Sequence, residues 1–264
     1  MLQLMNVGIT FFRGTVNEKQ ALKSVDLTLH DGDFVTVIGG NGAGKSTLLN
    51  VISGLYRVDQ GKIVIDGEDI TYLKEHERAK YVGRVFQDPM TGTAADMTIE
   101  ENMALALRRG KKRGLRNGLQ AKDKSMFIEV LKSLDLGLED RLTTRAGLLS
   151  GGQRQAITLL MSTLLRPNLL LLDEHTAALD PKTAAKVLHI TQEVIREHQL
   201  TTLMVTHNMR DALAYGNRML VLDEGSVLMD IPEETKKALT VEDLLKLFER
   251  KSNSESVSDR MLLS

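Results

Sequence analysis

The sequence predicts an α/β fold with a mainly parallel sheet, an N-terminal antiparallel β subdomain and an inserted α-helical subdomain. Residues 168 to 206 alternate an apolar strand, a helix and another strand, and a unit of this kind places its two strands in parallel. Residues 2 to 37 hold short segments of alternating polarity, which are typical of antiparallel strands. From Asp88 onward the apolar residues recur at helical spacing instead. We therefore expect one core that is interrupted by a group of helices.

Local sequence patterns predict the individual helices and strands. Thr98 with Glu101 forms a capping box that predicts the first helix of the insertion, and Asp180 with Pro181 predicts an N-cap and first position of a later helix. Leu244 to Phe248 predicts a C-terminal amphipathic helix. Further strands are predicted at 34–38, 62–65, 81–86, 169–172 and 201–205, and a terminal hairpin at 218–229.

These elements set the expected domain boundaries. Residues 1–87 and 150–230 form the core in this prediction, with the antiparallel β subdomain included. Residues 88–149 form the helical insertion, and residues 231–264 form a C-terminal helix and a frayed polar tail.

Composition excludes several classes of protein. The chain has 264 residues, 42% hydrophobic and 26% charged, with a net charge of -1, so no overall charge draws it to nucleic acid or anionic lipid. The absence of cysteine excludes disulfides, thiolate metal sites and cysteine nucleophiles, and it fits a cytosolic protein.

The N-terminus lacks the regions of a signal peptide. The longest apolar tract, Ala156 to Leu172, is interrupted at Arg166-Pro167-Asn168, so we expect a helix, a turn and a strand rather than a membrane span.

A complete G-x-x-x-x-G-K-[ST] motif directly follows the strand at 34–38, and this context predicts a phosphate-binding loop of the P-loop NTPase type. Its glycines let successive backbone N–H groups point at one anion, and the following helix adds the positive end of its dipole. Lys45 is expected to hold the β and γ phosphates and Ser46 to ligate magnesium, with Thr47 entering the helix. The motif consists of Gly39, Gly40, Asn41, Gly42, Ala43, Gly44, Lys45, Ser46 and Thr47.

Two carboxylates end the apolar strand at 169–172. Asp173 suits water-mediated magnesium binding, and Glu174 suits orienting and deprotonating an attacking water.

A second phosphate-binding surface is predicted upstream, at the start of a helix that opens with Ser150, Gly151, Gly152 and Gln153. Two such surfaces in one chain predict a head-to-tail dimer, in which each nucleotide lies between the loop of one copy and the Ser-Gly-Gly turn of the other.

With these motifs in this order, the chain resembles the nucleotide-binding subunit of an ATP-binding cassette (ABC) transporter over roughly residues 2 to 230. The resemblance implies ATP and Mg²⁺ as ligands. It implies that Gln87 senses magnesium and the attacking water, and that Ser150 to Gln153 reach the partner's γ phosphate. It also implies that Asp180 lies in a loop crossing the dimer interface and that His207 contacts the γ phosphate as a switch histidine.

The family stacks adenine on an aromatic residue upstream of the phosphate loop, and Phe11 and Phe12 are the candidates. Phe12 is preferred because Phe11 continues the alternation with Ile9 and is expected to face inward. Two positions depart from the family pattern. Gly40 stands where many relatives carry proline, and His175 follows the expected catalytic glutamate where proline is usual. The second departure places a titratable group beside the base, although adjacent residues at a strand end tend to point in opposite directions.

The resemblance extends to importers, because the chain is a single cassette without fused membrane spans. It implies an integral-membrane permease, a second copy of the chain and an extracytoplasmic solute-binding protein as partners, at the cytoplasmic face of the membrane. The residues from Gly39 to Lys45 and from Asp173 to Pro181 are similar to a branch that serves small organic solutes, with aromatic amino acids as one candidate. The alternatives are a non-transport ABC ATPase of the iron-sulfur assembly type and an exporter or lipoprotein-release subunit.

A basic run occupies residues 108 to 116 within the helical insertion. A solvated loop is the simplest interpretation, and phospholipid head groups or an acidic partner are alternatives. Because no aromatic residue is interleaved with these charges, nucleic acid is not expected as a partner.

Overall fold

The computed structural model describes residues 1–111 and 120–251, so the tail at 252–264 and the second half of the basic run lie outside the described residues. Its strands are β1 (Leu2–Phe11), β2 (Lys19–Leu29), β3 (Phe34–Ile38), β4 (Gln60–Ile65), β5 (Glu68–Asp69), β6 (Val82–Val85), β7 (Leu169–Asp173), β8 (Thr202–Val205), β9 (Arg218–Asp223) and β10 (Ser226–Pro232). Its helices are α1 (Lys45–Ser53), α2 (Glu75–Arg78), α3 (Ile99–Leu107), α4 (Ala121–Lys132), α5 (Gly151–Thr163), α6 (Pro181–His198), α7 (Met209–Ala214), α8 (Glu233–Ala238) and α9 (Val241–Lys251).

The larger sheet has the strand order β10-β9-β3-β8-β7-β6. The pairs β9–β3, β3–β8, β8–β7 and β7–β6 are parallel, and only β10 runs antiparallel to its neighbour β9. Every residue of β3, β7 and β8 is buried, as expected for strands covered on both faces. Parallel strands bring their carboxyl ends to one edge of the sheet. The residues that follow β3, β6, β7 and β8 therefore meet at that edge.

The smaller sheet is antiparallel, with the order β2-β1-β4-β5. Leu4 pairs with Leu27 across β1 and β2, and with Ile63 across β1 and β4. The apolar face of this sheet packs in one core with α1 and with alternate residues of β3, β7 and β8. The two sheets are thus held together around the helix that follows the phosphate-binding loop, and the predicted combination of an antiparallel and a mainly parallel sheet is confirmed.

The helices α3, α4 and α5 pack in a second core with α6 and with the opposite face of the larger sheet. The capping box that starts α3 is formed, because Thr98 Oγ1 accepts from the backbone N–H of Glu101 at 3.3 Å while the Glu101 carboxylate accepts from the N–H of Thr98 at 2.7 Å. A third core joins α7 and α9 to β9 and β10. No helix in the described ranges is both long and apolar enough to span a bilayer.

Candidate nucleotide-binding site

The predicted phosphate-binding loop connects β3 to α1, and its conformation requires glycine at position 44. Gly44 has φ 104° and is the residue before the first turn of α1. A Cβ atom placed there would lie 2.7 Å from the carbonyl oxygen of Ala21, so both the backbone angle and the close packing against β2 exclude a side chain. The loop is therefore fixed by its contact with the antiparallel sheet.

Lys45 is the first residue of α1, and only 5% of its surface is exposed. Its ammonium donates to the carbonyl oxygens of Gly39 at 2.7 Å and Gly40 at 3.2 Å. Burial lowers the pKa of Lys45, while the negative charges of Glu174 and Asp173 act in the opposite direction. The lysine thus provides a buried cation between the loop and the two carboxylates.

The residues from Asn41 to Thr47 line a cavity of about 390 Å³. The cavity is completed by residues from other elements, namely Phe11, Lys19, Ala21, Gln87, Glu174 and His207. The structure therefore brings together the predicted loop, the predicted base and the two residues that follow β6 and β8. This convergence is the direct result of parallel strand order.

Glu174 and His207 are in contact within this cavity. Nε2 of His207 lies 2.5 Å from Oε2 of Glu174, and the carboxylate side chain is 7% exposed. Glu174 has φ 46°, an uncommon angle for a residue with a side chain, and its N–H donates to the carbonyl of Val205 at 3.0 Å. The strained backbone directs the carboxylate out of β7 and toward the end of β8.

Asp173 makes its ion pair with a residue that the sequence analysis did not single out. Nη2 of Arg84 donates to Oδ2 of Asp173 at 2.8 Å, and Nη1 donates to Oγ of Ser53 at 3.2 Å. A signal was present in the sequence, since Arg84 is a cation inside the otherwise apolar strand β6.

The Ser-Gly-Gly turn forms the start of α5 and does not line the cavity around Lys45. Ser150 and Gln153 form a reciprocal capping box, with distances of 3.2 and 3.3 Å. A Cβ at Gly152 would lie 2.1 Å from Cγ2 of Thr183, so packing against α6 already excludes a side chain there. Within a single chain, these residues cap and pack the start of α5 and do not line the cavity that the phosphate-binding loop forms.

Asp180 caps α6, and its carboxylate accepts from the N–H of Thr183 at 3.1 Å. Hydrogen bonds from Thr183 lower the pKa of Asp180.

His175 is buried, with its Nε2 3.1 Å from Oγ1 of Thr191 on α6, and burial lowers the pKa of His175 to about 4. The departure at position 175 thus places a histidine under α6.

The two aromatic candidates occupy different environments. Phe11 is the last residue of β1, lines the cavity and stacks edge-on against Tyr56 with a centroid distance of 5.2 Å. Phe12 follows in the left-handed region, with φ 53°, and is 69% exposed. The expected inward packing of Phe11 is observed, but it does not remove that ring from the cavity. The structure therefore favours Phe11 over the residue preferred from the sequence.

Comparison with known sequences identifies the family of this chain. The sequence profile described as ABC transporter matches residues 22–177. The chain belongs to the ABC transporter family. It is therefore an ATP-binding cassette, and ATP binding and hydrolysis are its chemistry. The match begins in β2 and ends just after the two carboxylates, so it covers the phosphate-binding loop, the segment after β6 and the Ser-Gly-Gly turn.

Individual relatives of this ABC protein extend over nearly its whole length. It is 45% identical over 249 residues to a tyrosine transport ATP-binding protein of Clostridioides difficile (strain R20291), which covers 94% of this chain and 99% of the relative. It is 33% identical to the methionine import ATP-binding protein MetN of Streptococcus agalactiae serotype III (strain NEM316), covering 94% and 69%.

A solved ABC cassette has the same fold. The cassette MJ0796, in a dimeric post-hydrolysis state bound to ADP and phosphate, superposes with a TM-score of 0.74 at 30% identity. The similarity covers 88% of this chain and 99% of that chain. The fold predicted from the sequence is thereby confirmed at the level of the family.

Proposed function

We propose that this ABC ATPase powers the import of a small organic solute, with aromatic amino acids as the leading substrate class. The observation that carries the ATPase part is the cavity in which the phosphate-binding loop meets Gln87, Glu174 and His207. The observation that supports the substrate class is 45% identity to a tyrosine transport ATP-binding protein over almost the full length of both chains.

The donors at the cavity suit magnesium as the ion that accompanies ATP. Ser46 and Gln87 line the cavity and offer a hydroxyl and an amide oxygen, and Asp173 offers a carboxylate at the end of β7. Oxygen ligands of this kind are those that Mg²⁺ prefers, and the ion supplies charge stabilisation to the phosphates. The described residues contain no cluster of three or more His, Asp or Glu side chains that could hold a metal alone, which fits an ion bound together with the nucleotide.

The positions of the side chains support the following roles. Lys45, the backbone N–H groups of the loop and the start of α1 bind the phosphates. Glu174 is the base that accepts a proton from the attacking water, and Gln87 orients that water. His207 holds the Glu174 carboxylate in position at 2.5 Å and donates to the γ phosphate when the site is closed. Phe11 or Phe12 covers adenine.

The active form in this proposal is a dimer of two copies. Ser150 to Gln153 do not line the cavity of their own chain, so a second copy is needed to bring them to the nucleotide. The bare N–H groups of Gly151 and Gly152 at the start of α5 would then meet the γ phosphate, with Asp180 at the interface. The dimeric state of the cassette MJ0796 supports this arrangement.

The remaining partners are membrane proteins. We infer that the dimer binds an integral-membrane permease at the cytoplasmic face of the membrane and that an extracytoplasmic solute-binding protein delivers the solute. Nucleic acid is not among the proposed partners.

The decisive experiment is reconstitution with the integral-membrane permease that co-purifies with this chain from membranes. ATP hydrolysis and uptake of radiolabelled tyrosine are measured in proteoliposomes with wild-type protein and with Lys45→Ala. We expect both activities in the wild type and neither in Lys45→Ala, because no other cation on α1 meets the phosphates. Hydrolysis by the wild type without uptake of any aromatic amino acid would contradict the substrate class. Export of the solute, or an iron-sulfur phenotype without transport, would select one of the alternative functions.

A further inference from the structure

Arg84 contacts Asp173, a proposed magnesium ligand, and has no assigned role. It lies on β6, where its backbone pairs with Leu171 of the neighbouring strand β7. Both partners of its ion pair with Asp173 are largely buried, with side-chain exposures of 11% and 13%. Burying two opposite charges costs free energy unless the ions are well paired and hydrogen-bonded, so this buried pair requires a specific geometry.

The guanidinium group of Arg84 contacts three parts of the site. Nη2 donates to Asp173 at 2.8 Å, and Nη1 donates at 3.2 Å to Ser53, the last residue of α1. Its carbon Cζ lies 4.8 Å from the ring centroid of Phe86, the residue before Gln87. Arg84 therefore connects the helix of the phosphate-binding loop, the carboxylate at the end of β7 and the segment that carries Gln87.

Asp173 is held through one oxygen by this contact. A carboxylate on a strand end can rotate about its side-chain bonds, and a fixed donor on Oδ2 limits that rotation. Asp173 is also followed by Glu174, so two carboxylates lie side by side with Lys45 and Arg84 as the neighbouring cations. Arg84 thus both orients the first carboxylate and offsets part of the negative charge.

We propose that Arg84 is a positioning residue that orients Asp173 for Mg²⁺ and thereby sets how strongly magnesium tightens ATP binding. The inference rests on the proposed function. Residues that hydrogen-bond a metal ligand typically alter metal affinity by about 10- to 100-fold when removed, because they fix the ligand's orientation. An effect of this kind acts on magnesium binding and leaves the metal-free affinity for ATP unchanged.

Arg109 provides a matched control. It lines the same cavity of about 490 Å³ as Arg84 on the side of α3 and α5, and burial lowers the pKa of Arg109. Its guanidinium donates to the carbonyl of Ser162 at 2.8 Å. Arg109→Met therefore removes a buried arginine from the same region while the ion pair of Asp173 is kept.

The test measures the ratio of ATP dissociation constants in EDTA and in excess Mg²⁺ by titration calorimetry of the full chain. We expect Arg84→Met to lower this ratio by about tenfold, Arg84→Lys to restore part of it, and Arg109→Met to match the wild type. In an Asp173→Asn background, Arg84→Met is expected to have no further effect, since the arginine acts through that carboxylate. Arg84→Gln serves the same comparison if the methionine variant does not fold.

If the folded Arg84→Met variant, or Arg84→Gln in its place, has a ratio within twofold of the wild type, the inference is overturned. A lysine variant as impaired as the methionine variant also overturns it, because the effect would then come from packing. A wild type whose ATP affinity does not respond to Mg²⁺ counts against the proposed function instead, which separates the two failures.

Discussion

Nε2 of His207 lies 2.5 Å from Oε2 of Glu174, which places the predicted switch histidine directly against the predicted base. The two residues follow β8 and β7, which are adjacent parallel strands, and Glu174 is further tied to β8 through the carbonyl of Val205. A histidine in this position can hold the carboxylate in the orientation needed to accept a proton and can also donate to a phosphate.

His207→Ala is therefore expected to lower the kcat of the ATPase by about 100-fold, the order of one lost contact to developing charge. The measurement is steady-state hydrolysis in the assembled complex. His189→Ala is the control, because His189 is exposed on α6 and only faces Glu193 at 3.6 Å. A kcat in His207→Ala within threefold of the wild type would remove this residue from the mechanism.

The adenine contact is tested by Phe11→Ala and Phe12→Ala. Since Phe11 lines the cavity and Phe12 is 69% exposed, we expect Phe11→Ala to weaken ATP binding by about 1 to 2 kcal/mol and Phe12→Ala to have little effect. GTP, ATP and tripolyphosphate are compared by calorimetry, because a stacking loss affects nucleotides and leaves tripolyphosphate unchanged. The opposite result would restore the preference for Phe12 drawn from the sequence.

His175 is expected to affect acid stability more than catalysis. Burial lowers its pKa to about 4, so between the unfolded pKa of about 6.5 and pH 4 the unfolded chain binds a proton that the folded chain does not. The stability from the neutral ring is fully present above pH 6.5 and falls as the pH decreases, by on the order of 2 to 3 kcal/mol at pH 4.

Urea unfolding between pH 7 and pH 4.5 checks this expectation. His175→Gln should show a shallower loss of stability than the wild type and an ATPase rate within about threefold of it, and His189→Gln should follow the wild-type curve. The contrary outcome is a wild-type ATPase rate that falls at acidic pH while the protein stays folded, and a His175→Gln variant that does not show this fall. That result would place the histidine in the catalytic step.

Lys236 connects the C-terminal segment to the helix that follows His207. It is 3% exposed, and its ammonium donates to the carbonyls of Tyr215 and Gly216 at the end of α7. Burial lowers the pKa of Lys236 to about 8, so the unfolded chain holds a proton that the folded chain loses between about pH 8 and 10.5. Across that window stability is expected to rise with pH.

Chemical denaturation at pH 7.5 and pH 9.5 measures this contribution. From pH 7.5 to pH 9.5, the free energy of unfolding of the wild type should rise by about 1 to 2 kcal/mol relative to that of Lys236→Met. At pH 7.5 the variant should also be less stable than the wild type, because two carbonyls lose their donor. Lys237→Met is the matched neighbour, since Lys237 is exposed and pairs with Glu233 at 2.7 Å. Identical pH dependence in all three proteins would show that the lysine is not buried in solution.

Local signals in the sequence were sufficient for the fold and for much of the site. The loop before Lys45, the capping box at Thr98 and the N-cap at Asp180 are short-range patterns, and each was found where it was predicted. Parallel strand order then placed Gln87, Glu174 and His207 on one cavity. The domain boundaries drawn from the same patterns stay a prediction.

Long-range side-chain partners could not be read from the sequence. Arg84 meets Asp173, and Lys236 meets the end of α7, through contacts that depend on how distant elements pack. The orientation of Phe12 depended on a single left-handed backbone angle, which alternation along β1 does not predict. Ser150 to Gln153 do not line the cavity around Lys45 in their own chain, so their proposed contact with the nucleotide requires a second copy.

In the proposed active form, two copies enclose ATP between the loop of one chain and the Ser-Gly-Gly turn of the other. Glu174→Gln keeps the shape of the base and cannot accept the proton, so it should bind ATP without hydrolysing it and keep the dimer closed. Size-exclusion chromatography with light scattering, in saturating ATP and Mg²⁺, measures the mass directly.

We predict a dimer for Glu174→Gln with ATP, and a monomer without ATP, with Lys45→Ala added, or with Ser150→Arg added at the interface. A Glu174→Gln protein that binds ATP by calorimetry and still elutes as a monomer, alone and with its permease, would contradict the composite site.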